Sequence, residues 1–175
     1  MELKFRDLNA EEIDVRIAQV IDDRGLSLLL YKDARVDQDI LDETIGPMNW
    51  QRHHLRDNAN CIVAIWDDEK CQWIEKEDTG TESFSEKEKG LASDSFKRAC
   101  FNWGIGRELY TAPFIWIPWE KLINVTAKTK VEPNKSKYNV KDAFEVSDID
   151  IKDKKIVGLT IENNKGTIVY QYKQK

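Results

Sequence analysis

The chain has 175 residues, 41% of them hydrophobic and 10% aromatic, enough to bury the core of one ordinary domain. No apolar run approaches the ~20 residues of a membrane-spanning helix, and the first residues, MELKFRDLNAEEIDVRI, carry acids early and have no apolar signal-peptide stretch. A cytoplasmic protein without a membrane partner is therefore expected. Three cysteines with no CxxC spacing argue against a disulfide framework and a zinc site, and the adjacent His53 and His54 would point to opposite faces of a strand. The net charge of −5 disfavours a nucleic-acid partner at first sight, but its distribution is uneven. Residues 1–82 hold 10 Lys+Arg against 20 Asp+Glu, whereas residues 83–175 hold 17 against 12, an asymmetry that hints at one surface meeting an anionic partner.

Residues 12–31 read as two β-rich runs around Asp22-Asp23-Arg24-Gly25, a hairpin. Ala34, Ile40, Leu41 and Ile45 then recur at near-helical spacing until Gly46-Pro47 stops the helix. Three short strands follow, over 50–55, 61–66 and 71–77, separated by Asp57-Asn58 and Asp67-Asp68, as in an antiparallel meander. Ser85 with Glu88 has the form of a capping box opening a helix near Glu86, which Gly104 and Gly106 close. On a helical wheel Ala92, Phe96, Ala99, Cys100 and Trp103 share an apolar face for the meander. Asp94, Lys97, Arg98 and Phe101 occupy the opposite face. The tryptophans Trp50, Trp66, Trp73 and Trp103 fall at positions suited to the core.

PFIWIPWEKL, broken by Pro113 and Pro118, reads as an extended segment laid on that core, and residues 127–141 as a basic, mobile loop carrying Lys128, Lys130, Lys135, Lys137 and Lys141. FEVSDIDI, KIVGLTIEN and GTIVYQYK are strands joined by Asp153-Lys154 and Asn163-Asn164-Lys165-Gly166. The fold class is α+β: an antiparallel meander packed on a long helix, with an N-terminal hairpin and helix and a C-terminal β extension. The boundary is expected near residue 112, between a core of 1–112 and an appended 113–175. Open meander edges and an exposed apolar stretch over 114–119 predict homo-oligomers.

Tyr31-Lys32-Asp33-Ala34-Arg35, Gly46-Pro47-Met48-Asn49-Trp50, Asp78-Thr79-Gly80, Ser93-Asp94-Ser95-Phe96-Lys97-Arg98-Ala99 and Trp103-Gly104-Ile105-Gly106 follow one another in the order and spacing of a known family. Over roughly residues 12–112 the chain resembles the annealing core of the Rad-fifty-two superfamily, with its phage Sak-like members and the deinococcal DdrA protein. The resemblance implies a β-β-β-α core that assembles into rings and holds single-stranded DNA in a basic outer groove. It also implies ATP-independent annealing of complementary strands in recombination or repair. A single-strand binding protein or a phage exonuclease is an implied partner, and no cofactor is implied.

By the same resemblance Lys97 and Arg98 match the family's DNA-contacting Lys-Arg pair, and Arg16 corresponds to a groove-lining arginine of the first strand. Arg107, just past Gly106, belongs to the same candidate set. Phe101 stands one turn after the pair, where eukaryotic members carry a further arginine; an aromatic there suits stacking on a base, worth ~1–3 kcal/mol. Cationic side chains on an exposed helix face grip phosphates without reading sequence, which leaves base edges free to pair.

Two other readings stay open. Asp67, Asp68, Glu75, Glu77 and Asp78 suggest a metal-dependent nuclease, but Lys76 would face the wrong side of the strand Trp73-Ile74-Glu75-Lys76-Glu77 for that chemistry. No GxxxxGK[ST] loop is present for an ATP-driven recombinase. A DNA-end-protecting oligomer that anneals poorly would share the same fold.

Overall fold

β1 (Asp14–Ile21) and β2 (Gly25–Tyr31) form the hairpin that the alternating apolar runs predict, closed through Asp23 in a left-handed conformation at φ 60°. The computed structural model describes residues 3–81, 87–133 and 135–174, with 87–89 as backbone alone. The capping box expected at Ser85 and Glu88 lies outside the described residues. The architecture is α+β, with two α-helices among the described residues and antiparallel pairing throughout the three sheets described.

The chain divides into two compact units, Met1–Asp7 with Asp33–Arg107, and Leu8–Lys32 with Glu108–Lys175. This differs from a boundary near residue 112. The N-terminal hairpin is built into the same sheet as the C-terminal strands, because ladder hydrogen bonds follow edge complementarity and not chain order.

In the first unit, α1 (Ala34–Ile45) starts at Asp33, whose carboxylate accepts the Arg35 N–H at 2.8 Å. It stops at Gly46, where φ is 83° and the backbone N–H still reaches the Asp42 carbonyl. β3 (Trp50–Leu55), β4 (Asn60–Asp67) and β5 (Gln72–Thr79) form the expected meander in the order β3-β4-β5. Arg56, Asp57 and Asn58 take left-handed conformations in the first turn, and the Asp67 carboxylate holds the second by accepting the Glu69 and Lys70 N–H groups. α2 (Lys87–Trp103) packs on β4 and β5, and α1 touches α2.

The second unit is a six-stranded sheet ordered β11-β10-β9-β1-β2-β6, with β6 at Ile115–Pro118, β9 at Phe144–Lys152, β10 at Lys155–Asn163 and β11 at Ile168–Lys173. Its two edge strands approach each other: the Lys121 ammonium donates to the Val169 carbonyl at 2.7 Å and the Tyr170 hydroxyl to the Phe114 carbonyl at 3.3 Å. The sheet thus curls towards a barrel, which shields both edges. Within 114–119, Ile115–Pro118 form β6, extended as expected and paired with β2; Ile115 and Ile117 are buried, so the apolar stretch is exposed only in part, chiefly at Phe114, which is 77% exposed. The basic 127–141 stretch is, over the described residues from 128 to 137, the loop that joins β7 (Val125–Ala127) to β8 (Tyr138–Val140), two short paired strands that the sequence reading did not include.

Candidate nucleic-acid interface

The sequence pieces around Asp78-Thr79-Gly80 and Ser93–Ala99 interlock. The Asp94 carboxylate accepts the Thr81 N–H at 2.8 Å and its hydroxyl at 3.1 Å, while the buried Ser95 hydroxyl donates to the Asn58 carbonyl at 3.0 Å. Gly80 is needed at this junction. A Cβ there would lie 2.6 Å from the Ser95 backbone nitrogen and 2.9 Å from the Leu91 carbonyl oxygen, so only glycine lets the strand end lie against the helix backbone. From the other side, Trp50 stacks on Phe96 with centroids 6.1 Å apart, and the Arg52 guanidinium covers the same ring at 4.9 Å. The Trp103 indole donates to the Val63 carbonyl at 3.0 Å.

These contacts fix the rotation of α2. Phe96, Ala99 and Cys100 are fully buried, and Lys97, Arg98 and Phe101 are left half-buried on the flank of the helix. The wheel read from the sequence therefore describes the helix well at its centre. Trp66 and Trp73, expected in the core, instead form an edge-to-face pair on the opposite side of the sheet from α2, with Trp73 36% exposed.

Both cations of the pair have acidic neighbours. The Arg98 Nε lies 3.3 Å from an Asp78 carboxylate oxygen, and the Asn102 amide donates to the other oxygen at 3.3 Å. Asp33 sits in the field of Lys97. Hydrogen bonds from the Arg35 side chain and backbone hold its carboxyl down at about 2, and the charges of Arg35 and Lys97 add to the effect. A phosphate approaching this flank must compete with these carboxylates.

Arg107 is exposed and also closes the end of α2. Its Nε and a terminal nitrogen donate to the Phe101 carbonyl at 3.1 and 2.8 Å, and the same terminal nitrogen reaches the Asn102 carbonyl at 3.3 Å. Lys76 joins it, donating to the Asn102 carbonyl at 2.8 Å with its ammonium over the Trp103 ring. Two cations thus satisfy the last carbonyls of α2 and oppose its dipole. Lys76 faces the helix whereas Glu75 and Glu77 lie on the other side of β5. Arg16 belongs to the second unit, exposed on β1 opposite Leu29; Lys97, Arg98, Phe101 and Arg107 all belong to the first.

Sequence reasoning missed Asp78 as the partner of Arg98. The available signal was period two on β5, which puts Ile74, Lys76 and Asp78 on the helix side. Comparison with family models, curated proteins and solved structures finds no match for the chain. No helix among the described residues is long and apolar enough to cross a membrane.

Proposed function

We propose that the chain binds single-stranded DNA and anneals complementary strands without ATP, using β3-β4-β5 and α2 as an annealing core within a homo-oligomeric ring. The observation that carries this reading is the flank of α2. Lys97, Arg98 and Phe101 are part-exposed on a helix whose rotation is fixed by the Gly80, Ser95 and Phe96 contacts. Lys97 and Arg98 splay about 100° apart on the helix and suit neighbouring phosphates, and Phe101 offers a ring for a base. The grip is on the backbone, so base edges remain free and base pairing supplies the free energy. Assembly is supported by the exposed Leu29, Tyr110 and Phe114, which line an apolar cleft of about 430 Å³ in the second unit. A single-strand binding protein or an exonuclease is the kind of partner that would deliver the strand.

The test uses two labelled complementary oligonucleotides with no nucleotide and no added metal. Pairing is expected to be faster with the protein than without, and the acceleration to fall as salt rises from roughly 50 to 200 mM. Binding without acceleration would favour the end-protecting oligomer, and shortened product in Mg²⁺ would favour a nuclease.

A further inference from the structure

The β7–β8 hairpin has two unlike faces. Its register pairs Val125 with Val140, Thr126 with Asn139 and Ala127 with Tyr138, and backbone hydrogen bonds extend the ladder to Lys128 with Lys137 and Asn124 with Lys141. Side chains alternate across a strand. One face therefore carries Val125, Ala127, Tyr138 and Val140, part-buried apart from the exposed Ala127, with Tyr138 against Trp119 at 5.0 Å. The other carries Asn124, Thr126, Lys128, Lys137, Asn139 and Lys141, of which all but the half-buried Lys128 are exposed.

The hairpin is anchored at both ends of its ladder. The buried Asp142 carboxylate accepts the Ile123 and Asn124 N–H groups, each at 2.9 Å. At the other end Asp22 accepts the Ser136 hydroxyl and the Lys137 N–H, and Asp23 accepts the Tyr138 hydroxyl. The polar face is thus a built surface with lysines at set positions.

Its charge is out of balance. Lys128 and Lys137 stand directly opposite each other, an arrangement that is destabilising across a strand pair. Asp22 is in the field of both, and its carboxyl is held below the usual range, first by the Ser136 hydrogen bond and then by the Lys137 N–H, with the two ammonium charges adding. Glu132, itself paired with Lys135, also lies in the field of Lys128, so the three lysines of the face outnumber Asp22 and Glu132, the carboxylates in the field of Lys128. Residues 108–175 hold twelve lysines and no arginine. Lysine suits a grip on phosphates at no fixed geometry, and Asn and Thr side chains hydrogen-bond phosphate and sugar oxygens.

We infer that the Asn124, Thr126, Lys128, Lys137, Asn139 and Lys141 face of the β7–β8 hairpin is a second contact for the sugar-phosphate backbone of single-stranded nucleic acid. This rests on the reading that the chain binds single strands, and it assigns part of that grip to the second compact unit. No aromatic or aliphatic side chain stands on that face, which favours a nucleic-acid backbone over a lipid surface.

The experiment measures binding of labelled oligothymidine against salt for the full chain and for two variants. These are Lys128→Gln/Lys137→Gln/Lys141→Gln and, in parallel, Lys97→Ala/Arg98→Ala. Loss of three phosphate contacts lowers the slope of log K on log salt by about 2, at roughly 0.7 per contact for single strands. The charge-keeping triple variant Lys128→Arg/Lys137→Arg/Lys141→Arg retains the slope. An unchanged slope in the Gln variant, alongside a reduced slope in the α2 variant, overturns this inference and leaves the functional reading standing. Absence of binding by the unaltered chain overturns both. If the Gln variant binds DNA normally but no longer binds phosphatidylserine-containing vesicles that the unaltered chain binds, the face belongs to a lipid surface and the inference is wrong.

Discussion

Arg98 on α2 and Asp78 on β5 form an ion pair at 3.3 Å across the helix–sheet junction, with side chains 39% and 26% exposed. The pair places the main candidate phosphate ligand under competition from a carboxylate of its own fold. Asp78→Asn removes that competition while keeping the size of the side chain. Single-strand affinity is expected to rise and its salt slope to steepen, by up to about 0.7 for one more phosphate contact. A part-exposed pair is worth ~1 kcal/mol or less, so the fold should tolerate the change. Titration by fluorescence anisotropy checks this; weaker binding by the variant would mean that Asp78 positions Arg98 and does not compete for it.

Lys97→Ala with Arg98→Ala and Phe101→Ala should separate charge from stacking. The double variant is expected to bind more weakly and with a shallower salt slope, because fewer counterions are released. Phe101→Ala is expected to lose affinity, by ~1–3 kcal/mol per stacked base, at an unchanged slope. Equal slopes in all three proteins at low and moderate salt would remove α2 from the interface.

Arg107→Ala should behave as a stability variant. Its guanidinium closes the end of α2 through the Phe101 and Asn102 carbonyls. Losing a cation at an exposed helix C-terminus costs about 1 kcal/mol. Urea unfolding is expected to show a lower midpoint, and the salt slope of DNA binding to stay that of the unaltered chain. A slope change without a midpoint change would restore Arg107 to the DNA-contacting set.

Gly80→Ala tests the junction directly. The added Cβ would meet backbone atoms of Ser95 and Leu91, which cannot rotate away. Overpacking of this kind costs about 1–3 kcal/mol, so a lower thermal midpoint is expected, with annealing reduced in the same variant if α2 is the gripping element. An unchanged midpoint would show that the strand end does not lie against the helix.

Local features were legible in the sequence because they depend on neighbouring residues. Asp153 and Lys154 mark a turn and indeed take left-handed conformations, at φ 51° and 60°. Gly46-Pro47 ends α1, and the buried Phe96, Ala99 and Cys100 were readable from a period of 3.6. What escaped depends on distant residues. Nothing near Asp14 announces that β1 meets β9 at Glu145, so the six-stranded sheet was not foreseen. The β7–β8 hairpin escaped because three-residue strands set among lysines give too short an alternation to stand out from a loop. The contact of Arg107 with the end of α2 escaped because it depends on carbonyls five and six residues earlier, although a cation just past the end of a helix is itself a capping signal.

The pH dependence of stability should contain a contribution from His54. This residue lies on the helix side of β3, directly opposite Cys61, which in turn is opposite Asp78, with Arg52 two residues away on the same face. Burial pushes the His54 pKa below its ordinary value, and the positive charge of Arg52 pushes it further in the same direction. The folded state therefore favours neutral imidazole, whereas the unfolded chain takes up its proton at about 6.5. Between the lowered folded value and about 6.5 the unfolded state binds more protons, so stability rises with pH across that window. The contribution is fully present above about 6.5 and is lost as pH falls below it. Asp33 acts much lower: its contribution is present above the ordinary carboxylate range and is lost only as pH falls towards about 2. The two are thus separable. Urea midpoints measured between pH 5 and pH 7.5 should drop on the acid side in the unaltered chain, and the drop should shrink in His54→Gln, which cannot take up a proton. Parallel pH profiles for the two proteins would mean that the His54 ring is as well solvated in the folded state as in the unfolded one.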